Sequence, residues 1–208
     1  MLFISTGLVS DAQIKKGSWL LGGDVDFNIQ NASQPAGNSY TSSSANISLY
    51  PSLGKAIRDN LVLGADLSYL HSQSKNADPN VPTTTNSTFN QYGFGLFLRE
   101  YKPLGKGFSL FAQERLGGSY GDGLPSGSED FGHSYFLSLG LTPGLAYTVC
   151  GRMQLEASLP SLFSIGYSHQ KVGSAPNEYK YDSFGAGTNL GSDFFSNITL
   201  GFRFILGS

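Results

Sequence analysis

The chain shows a repeated alternation of apolar and polar side chains with a period of two. In WLLGGDVDFNIQ, residues 19–30, large apolar side chains take most odd positions, and from position 22 the even positions hold Gly, Asp, Asn and Gln. This alternation predicts a β-strand with one apolar and one polar face. It leaves the orientation open, because a soluble sandwich buries its apolar face and a membrane barrel turns that face to lipid.

The same period recurs in seven further segments, so the pattern predicts eight antiparallel strands in an up-and-down order. Pro160 interrupts the seventh segment, since proline lacks the backbone N–H that a ladder needs. Residues 183–195 either extend the last strand or form a separate one, which leaves ten strands as the alternative. The seven segments are 44–54, 60–71, 89–101, 107–120, 135–147, 152–167 and a stretch ending near 206.

One residue breaks the alternation of the fifth segment. Glu114 shares a face with the apolar residues Leu110 and Leu116. A carboxylate facing lipid is costly, and a β-bulge would turn it inward by shifting the register. The sequence therefore predicts a bulge near Glu114.

The connections between the segments alternate in length. Four are long and rich in Ser, Asn, Gly, Thr and Pro, and three are short. Outer-membrane barrels show this asymmetry, with long external loops and short periplasmic turns. The long connections are 31–43, 72–88, 121–134 and 168–182, and the short ones are 55–60, 102–107 and 148–152.

The composition decides which face meets lipid. Charged residues form 13% of the chain, about half the roughly 25% typical of soluble domains. Many polar-face positions hold glycine, which suits a narrow lumen better than a solvated exterior. The prediction is an all-β, eight-stranded antiparallel up-and-down transmembrane β-barrel in the cell outer membrane. The net charge of −2 gives no support for nucleic-acid binding.

The first residues, MLFISTGLVSDAQ, resemble an export signal. A short apolar run ends in small residues, Ser10 and Ala12, ahead of a cleavage point before Gln13. We therefore expect a truncated signal peptide at 1–12 and the barrel domain at 13–208. Cys150 is the single cysteine, and no Cys and His cluster has metal-ligand spacing, so neither a metal nor another cofactor is expected.

Charged residues on the polar faces are expected to meet inside the barrel. A buried charge is tolerable only when it is paired, so opposite charges in a narrow lumen should form a structural plug. Asp24 and Asp26 are expected to pair with Arg115 across the lumen. The predicted lumenal network comprises Asp24, Asp26, Asp66, Arg99, Gln113, Arg115, Glu156 and Arg203.

Four segments carry a resemblance to a known family: YPSLGKAIRDNLVLGADLSY, GLFLREYKPLGKGFSLFAQ, LTPGLAYTVCGRMQLEASL and NITLGFRFIL. They resemble the small outer-membrane β-barrel proteins of Gram-negative bacteria, of OmpA and OmpX type, especially a version common in Bacteroidetes. The resemblance implies outer-membrane lipid as the surroundings and insertion by the barrel assembly machinery. The last strand, with Phe202, Arg203 and Phe204, would carry the recognition signal.

Three functions remain open from the sequence. The favoured one is a non-enzymatic barrel with a side-chain-filled lumen and a structural, adhesive or ligand-binding role carried by its long loops. The second is a hydrolase at the barrel rim that acts on lipid or peptide and uses histidines beside serines. The third is a narrow pore for ions or small solutes. The rim candidates are His71, His133 and His169 with Ser72, Ser134, Ser168 and Asp26.

Overall fold

The structure is a computed structural model that describes residues 13–33, 41–77, 85–123, 132–173, 178–188 and 198–207. The described residues form ten strand segments, and no helix among them is long and apolar enough to cross a membrane. The segments are β1 Trp19–Ser33, β2 Thr41–Arg58, β3 Leu61–Ala77, β4 Thr85–Gly105, β5 Phe108–Gly123, β6 Gly132–Cys150, β7 Met153–Ser158, β8 Phe163–Val172, β9 Tyr179–Thr188 and β10 Thr199–Leu206.

The ten segments build a closed antiparallel barrel with eight strands in its wall. β1 to β6 form a meander in which each strand pairs with the next. β7 pairs with β10 and with the C-terminal part of β6, from Gly144 to Cys150. β10 closes the ring on β1, in register from Trp19–Leu206 to Val25–Leu200. The β8–β9 hairpin continues the wall beside the other half of β6. The eight-strand prediction is confirmed.

The seventh strand is split where the sequence predicts. Residues 159–162, around Pro160, separate β7 from β8. Two backbone bonds still tie this break to β6: Leu159 N–H donates to Pro143 O at 2.9 Å and Leu162 N–H to Leu141 O at 2.8 Å. The extra strand that the sequence left open is partly β9, while residues 189–197 lie outside the described part.

The apolar faces form the exterior, and aromatic residues bound them at both ends. We call the end with the turns at 59–60, 106–107 and 151–152 the short-turn end, and the opposite one the long-loop end. Near the long-loop end a row of tyrosines crosses four strands in register, which is typical of a membrane interface. The tyrosines are Tyr69, Tyr92, Tyr120 and Tyr135, and the aromatic residues near the short-turn end are Trp19, Phe108, Tyr147, Phe202 and Phe204.

Between the two aromatic rows the exterior is a belt of large apolar side chains. Leu67 is 58% exposed, Phe27 is 65% exposed and Leu200 is 65% exposed. A protein in water would not leave so many such side chains uncovered around its whole circumference. The apolar face of the opening stretch therefore faces lipid, and the barrel spans a membrane.

The strands extend beyond the tyrosine row, farther than the sequence predicts. β2 begins at Thr41, β4 at Thr85 and β6 at Gly132, inside stretches that were expected to be loops. Both faces of a strand meet water beyond the membrane, so no alternation of apolar and polar residues is needed there. The predicted loops 31–43, 72–88, 121–134 and 168–182 are therefore too long.

The predicted bulge at Glu114 is wrong. Glu114 pairs with Leu98 on one side and Leu141 on the other in unbroken ladders. The register shift between β4 and β5 lies near the turn, between Pro103 and Gly105. Unpaired backbone groups cost several kcal/mol each in lipid, so an intact ladder outweighs the exposure of one carboxyl group. Glu114 is exposed on the outer face.

A segment before β1 closes the short-turn end. Ile14 is fully buried against an apolar layer that includes Leu20, Val62 and Phe97. Ile14 N–H donates to Asn60 Oδ1 at 3.0 Å, and Asn60 N–H donates back to Ile14 O at 2.8 Å. Gly17 N–H donates to Ala56 O at 2.8 Å. Residues 13–18 are thereby fixed across the mouth of the barrel.

The orientation of the wall predicts a depth-dependent response to charge on the outer face of β4. Leu96→Arg places a cation within the belt and is expected to lower the free energy of unfolding by about 2–4 kcal/mol. The matched change Thr88→Arg, beyond the tyrosine row on the same face, should change it by about 1 kcal/mol or less. Urea unfolding in lipid vesicles measures both. Equal effects would contradict the assigned membrane position.

Candidate functional site

The lumen holds a chain of buried charges near the short-turn end. Glu156 on β7 forms ion pairs with two arginines: Arg99 Nη1 lies 2.6 Å from its Oε2, and Arg203 Nη2 lies 3.2 Å from the same atom. Arg203 Nη2 also lies 2.9 Å from Asp24 Oδ2. Four strands, β1, β4, β7 and β10, are therefore linked across the interior by two cations and two anions.

Neutral side chains complete this chain of charges. Tyr101 O–H donates to Glu156 Oε1 at 2.8 Å, and Arg99 Nε–H donates to Gln113 Oε1 at 2.8 Å. The Arg99 guanidinium also lies 4.5 Å from the centre of the Phe111 ring. Removing charges from water costs free energy. Here that cost is offset by the pairing of opposite charges and by the hydrogen bonds to Tyr101 and Gln113.

A second ion pair crosses the lumen at mid-height. Arg115 on β5 holds Asp66 on β3 in a forked contact, with Nε 2.9 Å from Oδ2 and Nη2 2.6 Å from Oδ1. The guanidinium has to pass over β4 to reach β3. Glycine makes this passage possible, because a Cβ on Gly95 would lie 2.6 Å from the guanidinium and one on Gly117 would lie 2.2 Å from it.

The two charged layers divide the lumen into compartments. A cavity of about 290 Å³ lies between them and is lined by Asp24, Asp66, Arg99, Arg115 and Arg203 among others. Asp24 Oδ1 is buried against Gly201 and has no hydrogen-bond partner within the described residues. Above the Arg115–Asp66 pair lies an upper chamber of about 640 Å³, lined mostly by serine and glycine with Tyr50 and Gln91.

The structure places most of the predicted network residues in direct contact, but with different partners from those expected. The predicted pairing of Asp24 and Asp26 with Arg115 is wrong, since Asp24 binds Arg203 and Arg115 binds Asp66. Asp26 is exposed, and no contact with the other network residues is found in the described part of the chain. Sequence reasoning missed Tyr101, although it takes the inward position two residues after Arg99.

The three histidines face away from the serines beside them. His71, His133 and His169 lie on the outer face, whereas the neighbouring serines lie on the inner face because successive strand residues alternate. The contacts of the histidines are His71 Nδ1 with Asn90 Oδ1 at 2.7 Å, His133 Nδ1 with Tyr120 Oη at 2.6 Å, and His169 Nδ1 with Asp182 Oδ1 at 2.8 Å. The structure therefore does not bring the predicted rim residues together as a nucleophile and base. Within the described ranges, no group of three or more His, Cys, Asp or Glu side chains is arranged to hold a metal ion.

Comparisons with known proteins agree on the fold. No family model matches the sequence, and no curated protein matches it. The outer membrane protein OprG from Pseudomonas aeruginosa has a similar structure, with a TM-score of 0.51, 14% identity, and coverage of 95% of this chain and 99% of that chain. Neisserial surface protein A (NspA) aligns with a TM-score of 0.49, 17% identity, and coverage of 91% and 99%. The likeness to OprG agrees with the closed eight-stranded wall and its apolar exterior, and the chain has the architecture of an integral outer-membrane barrel.

The burial of Glu156 predicts a large stability effect. Glu156→Ala leaves Arg99 and Arg203 without their shared anion and should lower the free energy of unfolding by about 3–5 kcal/mol. The control is Glu178→Ala, just before β9. The charges of Lys171 and Lys180 lower the pKa of the Glu178 carboxyl group below its usual range. That variant should unfold like the parent chain. Denaturant titration in detergent micelles measures both, and equal stabilities would contradict the structural role of Glu156.

Substitutions at two adjacent glycines test how the Arg115 side chain reaches Asp66. Gly117→Ala adds a Cβ against the guanidinium and should displace it from Asp66, at a cost of about 1–3 kcal/mol in unfolding free energy. Gly118→Ala, on the opposite face, meets nothing closer than 3.6 Å and should be tolerated. Thermal unfolding of the two variants measures the difference. A tolerated Gly117→Ala would show that Arg115 does not depend on this passage.

Proposed function

We propose that this protein is a non-conducting barrel of the cell outer membrane, with a structural or ligand-binding role at its extracellular, long-loop end. The observation that supports this function best is the buried charge chain from Arg99 through Glu156 and Arg203 to Asp24. The side chain of Glu156 is not exposed at all, and those of Arg99 and Arg203 are 3% exposed. A lumen crossed by such a chain offers no continuous water path at this level.

A second barrier supports the closed lumen. Tyr101 and Phe111 lie two residues nearer the short-turn end than Arg99 and Gln113, and with Ile14 they belong to the buried apolar layer there. A passing ion would have to break paired buried charges and then cross an apolar layer, and each step is unfavourable. These two layers argue against the pore alternative.

The extracellular end is where a partner can reach the protein. The upper chamber lies at this end, and its lining combines apolar surface with serine hydroxyl groups, Gln91 and Tyr50, a combination that suits a small ligand. The hydrolase alternative requires each histidine to reach the serine beside it. The histidine side chains lie on the outer face and those serines on the inner face, so we assign no enzymatic role. No role in nucleic-acid binding is proposed for a chain with a net charge of −2.

Further parts of the proposal follow from the resemblance of the sequence to the small barrels of OmpA and OmpX type in Bacteroidetes. It supports contact with outer-membrane lipid and insertion by the barrel assembly machinery, which would read the last strand with Phe202 and Phe204. The apolar run that ends in Ser10 and Ala12 supports removal of residues 1–12 as a signal peptide before residues 13–208 fold as the barrel. This processing is tested by following the radiolabelled protein during export and by sequencing the N-terminus of its membrane form.

Recording from planar lipid bilayers tests the closed lumen. The purified, folded protein should give no steady conductance, while a porin reconstituted in the same way serves as the positive control. Folding is verified beforehand by heat-modifiable migration on gels and a β-type circular dichroism spectrum. Steady single-channel currents that change on Arg115→Ala would overturn the non-conducting function and restore the pore.

A further inference from the structure

Basic residues are concentrated at the short-turn end of the barrel. Seven of the 13 Lys and Arg residues lie there, on the segment before β1, on the strand ends and in the turns. All seven are exposed, and we call them the basic rim: Lys15, Lys16, Lys55, Arg58, Lys102, Lys106 and Arg152. The exposed acidic residues of this end, within the described ranges, are Asp59 and Glu100. The short-turn end therefore carries a large excess of positive charge.

The long-loop end differs in charge. In the part of it that the structure describes, the lysines are accompanied by at least as many acidic residues. Lys171 and Lys180 share Glu178, with Nζ–Oε1 distances of 3.5 and 3.4 Å. The lysines are Lys75, Lys171 and Lys180, and the acidic residues are Asp26, Asp122, Glu178 and Asp182.

The cations of the basic rim form no ion pairs with the residues that the structure describes. The three arginines of the lumen, in contrast, are all paired with carboxylates. Asp59 accepts a hydrogen bond from the backbone N–H of Lys16 at 2.8 Å, so it holds the segment before β1 and does not bind a cationic side chain. The charge of the rim is thus available to a partner.

Two cations of the rim lie where the wall leaves the hydrocarbon. Lys55 is outward on β2, in register with Trp19, and its Nζ lies 5.2 Å from the centre of the Trp19 ring. Lys102 is outward on β4, in register with Leu110, two residues from the aromatic edge residue Phe108. Tryptophan marks the lipid–water interface, and a lysine near it extends its amine towards the headgroups. Lipid headgroups therefore cover both lysines.

The distribution of the basic rim also favours lipid as the partner. Its cations lie before β1, on β2 and β4 and near all three turns, so they follow most of the circumference. A docked protein would contact one side of such a rim, whereas lipid surrounds the whole barrel. Anionic headgroups offer phosphate oxygens without a cation of their own, and each Lys or Arg near an anionic membrane surface adds to the attraction.

We propose that the basic rim binds the headgroups of anionic phospholipids in the membrane leaflet at the short-turn end. Lys55 and Lys102 contact the phosphates at the edge of the apolar belt, and the cations of the turns attract them from beyond it. This inference rests on the proposed orientation with the long-loop end extracellular, which makes this leaflet the periplasmic one. The barrel thus selects its lipid on one side of the membrane.

Quenching of Trp19 fluorescence tests the lipid contact, because Trp19 is the single tryptophan and lies beside Lys55. The folded protein is reconstituted in vesicles of phosphatidylcholine that contain either brominated phosphatidylglycerol or brominated phosphatidylcholine. The two quenching curves give the ratio of the binding constants of the two headgroups next to Trp19. The parent chain should favour phosphatidylglycerol about fivefold, the effect of one basic residue near an anionic surface. Equal quenching by the two lipids would refute the contact.

Variants that remove single charges locate the contact. Lys55→Gln should lower the preference about twofold or more, and the addition of Lys16→Gln and Arg58→Gln should bring the ratio to about one. The matched control is Lys75→Gln, which removes an exposed cation from the long-loop end and should leave the ratio unchanged. Heat-modifiable migration verifies that each variant folds. An unchanged ratio in the triple variant, or an equal loss in Lys75→Gln, would overturn the proposal.

The quenching ratio is independent of conductance, so its failure would leave the non-conducting barrel in place. A soluble anionic polymer of the periplasm is the competing partner. A parent chain without lipid preference that sediments with isolated peptidoglycan in neutral detergent, and loses this binding in the triple variant, would assign the basic rim to that polymer and overturn the lipid contact.

Discussion

The structure depends on one constraint: a strand in lipid must find hydrogen-bond partners for its backbone within the wall. β10 meets this constraint by pairing with both β7 and β1, which turns an open meander into a ring. A closed ring of eight strands encloses a lumen only wide enough for side chains. The apolar face is then outside by necessity, and the charged and small residues share the interior.

The confined interior explains why the charges form layers. A charge inside has little water, so each needs an opposite charge within reach. The wall supplies this geometry at two levels, around Glu156 and around Asp66. At the second level, glycine on β4 and β5 makes the contact possible, because the guanidinium of Arg115 lies where a side chain would otherwise be. Glycine on the inner face is thus a condition for an ion pair two strands apart.

The sequence predicts those features that repeat with a local period. The alternation within the strand segments was sufficient for the wall, and the low content of charged residues was needed to set its orientation and hence the inward position of Arg99, Glu156 and Arg203. The partners of Asp24 and Arg115 were predicted wrongly, because pairing across a lumen depends on the stagger of eight strands, which no single segment encodes. Strand ends beyond the tyrosine row were missed because Ser- and Asn-rich strands with two wet faces have no alternation.

Two glutamates show how the surroundings of a carboxyl group differ on the two sides of the wall. Glu156 is inside and has two arginines and a tyrosine from two other strands, because the curvature of the barrel directs inner side chains towards one another. Glu114 is outside, where the same curvature directs side chains apart, and no ion pair of Glu114 is found among the residues that the structure describes. A bulge would have turned it inward, yet intact ladders on both sides hold it outward. An inward carboxyl group at the level of the apolar belt is therefore paired by folding itself, whereas Glu114 on the outer face has only leucines in register with it.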